Sequence, residues 1–451
     1  MKMEKRCCQI NNESRTSHVK EKQDLPVVII GAGPVGLAAA AHLSRYNQSF
    51  LLVEAGEEVG ANIKTWGHIR LFSPWRYNID KAAWRLLDEE GWGEPHLDSL
   101  PTGHEIITRY LHPLSETEAI KPHLLLNTKV VSISRDSQDK MKTADREQRP
   151  FVVYVEQEGE MNVLHARAVI DATGTWGNPN PANSDGVWLS GEQNILNSVF
   201  YGMPDILGQE KMRYTNKRIA VIGSGHSAIN ALLELAEQKE LYPETSITWL
   251  IRKTRVEDTY GGEEKDALAA RGELGIRIHR LVDHGIIEVK TDFKIQQMNQ
   301  MEDGKVEIKG LYQGNTTVLP VFDEVIVNTG NRPDLSLLRE LRTQIDSATE
   351  SVGALAPLID PNIHSCGTVR PHGEKELRQP EKNFYIVGAK SYGRAPTFLM
   401  ATGYEQVRSV VAYLAGDLEA AEKVELDLPE TGVCSINLVR ESSCGTNSGC
   451  N

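Results

Sequence analysis

Val27-Val-Ile-Ile-Gly-Ala-Gly-Pro-Val-Gly-Leu-Ala-Ala-Ala-Ala-His-Leu43 is the stretch whose reading decides the fold. Val27 to Ile30 is a wholly apolar run, the composition of a strand buried on both faces. Gly31, Gly33 and Gly36 follow as G-x-G-x-x-G, and Pro34 stands where a helix begins, a position that needs no backbone N–H. Leu37 to Leu43 is alanine-rich and helical. Gly31 allows the tight turn, Gly33 lets a pyrophosphate approach the backbone, and Gly36 lets helix and strand pack closely. The helix N-terminus then faces the phosphates with unpaired N–H groups and a partial positive charge. Phe50 to Glu54 reads as the second strand, and Glu54 follows Gly31 by about the 20 residues expected of a carboxylate that takes ribose hydroxyls. An ordinary glycine-rich turn requires none of this order.

A second signature of the same kind appears downstream. Lys217 to Ile222 is a strand, and Gly223-Ser224-Gly225-His226-Ser227-Ala228 is G-x-G-x-x-A. Ile229 to Lys239 is helical, and Ile247 to Ile251 is the next strand. That strand ends in Arg252 and Lys253, with Arg255 nearby and no acid. A basic cluster in place of the ribose-binding acid favours a 2′-phosphate, hence NADPH over NADH; the plainer alternative is a solvated strand end. His226 sits where it can approach the NADPH phosphates.

The bulk composition agrees with a soluble globular protein of two to three domains, and the two strand–turn–helix signatures predict an α/β fold. With 49 basic against 62 acidic side chains the net charge is −13, which argues against nucleic acid and gives an anionic membrane no purchase. No apolar run reaches the ~18 residues of a membrane span, and the N-terminus lacks a signal-peptide core, so a cytoplasmic location is expected. The six cysteines are Cys7, Cys8, Cys366, Cys434, Cys444 and Cys450, and most lie in the terminal tails, which is no framework for a disulfide-stapled core.

Between the signatures, residues 60–100 are rich in tryptophan, and Trp66 to Trp75 reads as irregular chain close to a ligand, a dry wall for reactive chemistry or plain core. Pro101 to Leu111 reads as a turn and helix capped by Thr102. Strands are expected at Val130–Ser134, Phe151–Val155, Ile286–Val289, Val306–Ile308 and Val325–Val327, and Ala168 to Gly174 reads as a strand running into a small-residue turn. The strand Phe384 to Gly388 reads as returning to the first domain, followed by a loop from Lys390 to Pro396 and a helix from Phe398 to Leu414. The organisation expected is a disordered arm (1–24), a dinucleotide-binding Rossmann-type domain in two parts (25–182 and 333–419), an inserted NADPH-binding Rossmann-type domain (183–332) and a flexible cysteine-containing tail (420–451).

Over about residues 25–415 these motifs resemble the two-dinucleotide-binding-domain flavoproteins. The markers are Gly31–Gly36, Ala172-Thr173-Gly174, Gly223–Ala228, Thr329-Gly330-Asn-Arg-Pro333 and Tyr385-Ile-Val-Gly388. Within that group the chain most resembles the flavin-containing and N-hydroxylating monooxygenases. The resemblance implies FAD and NADPH as cofactors, molecular oxygen and a small molecule as substrates, and oxygenation of a soft heteroatom (sulfur, nitrogen or metalloid) through a flavin C4a-hydroperoxide. It implies cofactor contacts from the glycines named, Pro34, Glu54, Trp66, Thr173, Gly330 and Gly388. It also implies a flavin-side hydrogen-bond donor at Asn78 and anchoring groups at Lys390 and Arg394. The monooxygenase fingerprint F-x-G-x-x-x-H-x-x-x-[YF] is replaced by Gly191–Asp205, which leaves the substrate open. The alternative is a thioredoxin-reductase-like thiol, disulfide or metalloid reductase; the chain has no C-x-x-C, so its redox thiols would come from Cys434, Cys444 and Cys450. Those thiols could equally bind a soft metal or stand exposed; no metal site is expected elsewhere. A non-catalytic redox sensor is a more distant reading. Leu428-Pro-Glu-Thr-Gly432 spells a sortase-type signal without the flanking segments such a signal uses. A homodimer is compatible with all of this.

Overall fold

The structure, a computed structural model, describes residues 24–426 apart from 196, 267, 364–368 and 397. All six cysteines and Leu428–Gly432 fall outside the described residues, so the expectations placed on the arm and on the thiols are not met or refuted by it.

The chain opens with β1 (Val27–Ile30), β2 (Phe50–Val53) and β3 (Leu124–Leu125). An antiparallel sheet of β4 (Thr128–Arg135), β5 (Phe151–Gln157) and β6 (Glu160–Ala166) follows, and β7 (Ala168–Asp171) returns to pair with β1. The middle of the chain supplies β8 (Val199–Tyr201), β9 (Arg218–Ile222), β10 (Ser246–Leu250) and β11 (Glu288–Lys290). It continues with the antiparallel β12 (Phe293–Gln300), β13 (Val306–Tyr312) and β14 (Asn315–Val318), then β15 (Glu324–Val327). β16 (Phe384–Ile386) comes last.

Two five-stranded parallel sheets result, ordered β16-β7-β1-β2-β3 and β11-β10-β9-β15-β8. The α/β fold class is as the sequence predicts, and β16 pairs with β7, Phe384 opposite Val169. The strand centres are apolar because helices cover both faces of such sheets: Val27, Val28 and Ile29 are fully buried. The helix Pro34–Arg45 lies on β1 through Ala38–Ala41, all wholly buried, and small side chains let the helix Met400–Ala415 pack against it.

The two sheets are joined through a pair of antiparallel crossing segments. Asn180 N donates to Gly330 O (2.9 Å), Thr329 Oγ1 to Asn180 O (2.8 Å) and Arg332 N to Asn178 O (3.0 Å). The outgoing and returning chains are thus one hydrogen-bonded ribbon.

Several local expectations need correction. Ile286 lies in the turn that closes the helix Ala269–Asp283, its N–H bonded to Leu281 O, and the strand starts only at Glu288. That helix is hidden in the sequence by Gly272 and Gly275. A Cβ there would come within 2.1 Å of Glu263 O and 2.0 Å of Tyr260 O, so the glycines let the preceding loop lie against the helix. The tail begins later than expected: Leu418–Glu422 is a short helix capped by Asp417, and Ser409 Oγ donates to Ala421 O. Thr102 does cap its helix, in a reciprocal capping box with Glu105. No described helix is long and apolar enough to cross a membrane.

Candidate functional site

At the C-terminal ends of β1, β2 and β7, where the strand order turns, lies a cavity of about 360 Å³. Gly31, Gly33, Pro34, Glu54, Trp66, Asn78, Thr173, Gly174 and Gly388 all line it. Its floor is the glycine loop. Gly31 has φ +97°, and a Cβ there would lie 2.9 Å from Ala172 O. A Cβ on Gly36, which does not line the cavity, would lie 1.8 Å from Gly31 O, so this glycine serves helix–strand packing. Around Gly33 a Cβ would meet nothing within 4 Å, which leaves the backbone open to a phosphate group. Glu54 is already engaged: its Oε2 accepts from Ala32 N (2.7 Å) and its Oε1 from Gly56 N (2.8 Å). The carboxylate therefore holds the glycine loop in shape while each oxygen keeps acceptor capacity for a ribose hydroxyl. An extended dinucleotide fits this set of groups.

The wall opposite is apolar, built from Leu71, Phe72, Trp176, Phe398, Leu399 and Met400. Trp66 faces Trp176 with ring centroids 6.0 Å apart, and Trp176 Nε1 donates to Thr65 Oγ1 (2.7 Å). Of the tryptophan-rich segment only Trp66 reaches the cavity; Trp75 is a core residue, and Trp92 donates to Arg109 O. The other wall residues come from three separate loops, and no pattern in the sequence marks them.

Two expected site residues have other duties. Asn78 lines the cavity, but its Nδ2 donates to Ser73 O (2.8 Å) and Pro74 O (3.0 Å), which uses both amide hydrogens to staple the 73–78 turn. It is not a free donor to a flavin. Lys390 does not line the cavity: its Nζ is bound to Asp171 Oδ2 (2.7 Å) and Thr173 Oγ1 (3.0 Å), beneath the Thr173–Gly174 turn. Arg394 is exposed and lines nothing here. Gly388, at φ +67°, donates its N–H to Gln406 Oε1 (2.7 Å). Gln406 is wholly buried and also bonded to Ser391 and His372, a positioning network that sequence reasoning missed.

The second cradle repeats the first at β9. Gly223 has φ +130°, and a Cβ there would lie 2.2 Å from Asn328 O. Gly225 is open, and Ala228 is fully buried where the third glycine would stand. Trp249 Nε1 fixes Gly223 O at 2.6 Å. Ser224 and Ser227 are half-exposed beside the loop. His226 is the first residue of the helix His226–Leu241; burial, then the Arg271 charge, push it down to about 4, so the ring is neutral at pH 7. Arg252 is exposed and has no polar partner among the described residues, whereas Lys253 Nζ reaches Asp258 O (2.5 Å) and Arg255 pairs with Glu257 (3.4 Å). Gly330 lies in the crossing ribbon, away from the first cavity. No group of three or more His, Cys, Asp or Glu among the described residues could hold a metal ion.

Residues 28–367 match the pyridine nucleotide-disulphide oxidoreductase family. The chain belongs to that family. It is an FAD- and NAD(P)H-dependent oxidoreductase. A curated relative, the 2-oxo-Delta(3)-4,5,5-trimethylcyclopentenylacetyl-CoA monooxygenase of Pseudomonas putida, is 26% identical over 228 residues, 48% of this chain and 37% of that one. The chain thus spans little more than a third of that relative's length. Among solved structures, the bacillithiol disulfide reductase Bdr of Bacillus cereus superposes with a TM-score of 0.65 at 19% identity, over 87% of this chain and 99% of that one. The cadaverine monooxygenase DfoA of Erwinia amylovora, bound to FAD, gives 0.61 at 13% identity, over 92% and 99%. These similarities in structure extend to the fold.

Proposed function

We propose that the protein is an NADPH-dependent flavin monooxygenase that transfers one oxygen atom of O₂ to a soft heteroatom of a small molecule, the second atom leaving as water. The observation that carries this is the wall of the first cavity opposite the glycine loop, where Leu71, Phe72, Trp176, Phe398, Leu399 and Met400 form an apolar enclosure. An oxygenase needs a dry enclosure of this kind around the reacting centre. The monooxygenase named among the curated relatives and DfoA are in keeping with this reading.

In this reading Gly31, Gly33, Pro34 and Gly36 shape the phosphate approach, Glu54 holds the loop and takes ribose, and the Thr173–Gly174 turn and Gly388 flank the ring system. FAD bound there supplies the two-electron chemistry that links nicotinamide to oxygen. Trp66, Trp176 and Phe398 exclude water from the reacting centre. The amides of Gly225, His226 and Ser227 face the NADPH pyrophosphate, and Arg252 and Lys253 its 2′-phosphate.

A second reading, an NADPH-dependent thiol–disulfide or metalloid reductase, draws on the likeness to Bdr and on the cysteines that lie outside the described residues. NADPH oxidation measured with and without oxygen separates the two. Turnover that consumes O₂ and yields an oxygenated thioether or amine supports the oxygenase. Equal turnover without oxygen, driven by a disulfide or an oxidised metalloid, replaces it with the reductase.

A further inference from the structure

Phe72 belongs to the wall of the first cavity, yet its ring reaches the second cradle. Its centroid lies 5.4 Å from that of His226, at the start of the helix that follows the second glycine loop. The Arg271 guanidinium lies 5.8 Å from the same ring and is held by two hydrogen bonds to Asp266 (2.7 and 2.8 Å). One side chain of the flavin half is therefore seated among residues of the nucleotide half.

Hydride transfer needs the nicotinamide in van der Waals contact with the flavin. A nucleotide anchored by its pyrophosphate at Gly223–Ala228 must send its nicotinamide from beside His226 into the cavity mouth, and Phe72 fills that span. The geometry points to Phe72 as a placeholder: its ring occupies the nicotinamide position between the two cradles and has to leave His226 before the nucleotide can deliver hydride. This inference rests on the second cradle taking NADPH.

The ring is held by contacts suited to that task. An aromatic pair and a cation over a ring are each modest attractions, so the seat is stable without being locked. His226 is uncharged at neutral pH and adds no ionic grip. A nucleotide that must displace the ring binds with an apparent affinity reduced by the fraction of molecules in which the ring has already moved.

The test uses the FAD-loaded full chain and two ligands, NADP⁺ and adenosine 2′,5′-bisphosphate, which has the adenine, ribose and 2′-phosphate but no nicotinamide. Binding is read by calorimetry, independently of turnover. Phe72→Ala is expected to tighten NADP⁺ on the order of fivefold, the size of the two lost contacts, while the bisphosphate stays within about twofold. Phe72→Leu retains an apolar side chain, should shift NADP⁺ in the same direction, and serves as the measurement if the alanine variant loses FAD. Weaker NADP⁺ binding with an unchanged bisphosphate would make Phe72 a platform for the nicotinamide and overturn the placeholder. Parallel shifts of both ligands, or none, would also overturn it. If the unaltered protein fails to bind the bisphosphate, the NADPH assignment of the second cradle falls first and takes this inference with it.

Discussion

Lys390 Nζ and Asp171 Oδ2 meet at 2.7 Å with neither side chain exposed to solvent. Asp171 ends β7 and Lys390 follows β16, so the pair ties neighbouring strand ends together directly beneath Thr173, which donates to Asp171 Oδ1 (2.7 Å) and accepts from Lys390 (3.0 Å). Removing one partner of a fully buried pair leaves an uncompensated charge, at a cost of about 3–5 kcal/mol. Lys390→Met is expected to lose that much stability in denaturant unfolding and to release FAD on gel filtration. Lys390→Met with Asp171→Asn should recover part of the loss, because no orphaned charge remains. A single variant as stable as the parent would show that the pair does not hold the turn.

Arg252 has no polar partner among the described residues, and the neighbouring Lys253 Nζ donates to Asp258 O (2.5 Å). Arg252→Ala with Lys253→Ala should raise KM for NADPH far more than for NADH. The lost charge-assisted contacts amount to about 1.5–3 kcal/mol, roughly ten- to a hundredfold. Equal effects on the two nucleotides would remove these residues from the 2′-phosphate site.

Glu234, on the helix His226–Leu241, has a buried Oε2 with no hydrogen-bond partner. Burial, then the Asp205 charge and further Glu237, push its carboxyl up from the ordinary 4.5 to about 7. The folded state therefore holds this proton more tightly than the unfolded chain. The associated stability is complete below pH ~4.5 and is lost as pH rises to about 7. Glu234→Gln should abolish this loss and be the more stable protein at pH 8, by something on the order of 2 kcal/mol. Parallel pH–stability curves for the two proteins would show that Glu234 does not titrate in this window.

The helix Leu418–Glu422 is part of the folded body: Arg408 donates to Ala420 O (2.6 Å) and Glu425 N to Glu405 Oε1 (3.1 Å). A cut after Ala420 would divide this helix and remove both the Glu425 contact and the Ser409 bond to Ala421 O, so truncation after residue 426 is the cleaner experiment. That truncation is expected to leave FAD content, NADPH-driven flavin reduction and oxygenation unchanged within about twofold, because no cavity-lining residue is lost. Loss of turnover with flavin reduction intact would favour the reductase that works through Cys434, Cys444 and Cys450.

What could be read from the sequence was local in it. Gly31, Gly33, Gly36 and Glu54 fall within one strand–turn–helix–strand unit, where spacing alone fixes geometry, and the structure places three of them around one cavity. The apolar runs of β1, β7, β9 and β16 were likewise legible, because a strand covered on both faces needs continuous hydrophobic side chains. The partners of a side chain were not legible. Asn78 and Lys390 have residue types suited to a flavin, yet Ser73, Pro74 and Asp171 claim their donors first, and those partners are set by tertiary packing. Phe72, Trp176 and Phe398 sit in loops whose convergence no periodicity records. Gln406 looked like one more helix residue until its buried amide met Gly388 and Ser391.

The pairing of β16 with β7 also sets an order of events at the ribosome. Synthesis proceeds from the N-terminus, so every strand from β8 to β15 is released before Phe384 appears. A nascent chain halted anywhere in that interval can carry a finished second sheet beside a first sheet whose Ala168–Asp171 edge has no neighbour. Ala38–Ala41 likewise await the helix Met400–Ala415. Such an intermediate presents an apolar strand edge for as long as translation takes to reach β16, which makes chains truncated before β16 prone to aggregate and the last part of the message the step that protects the first.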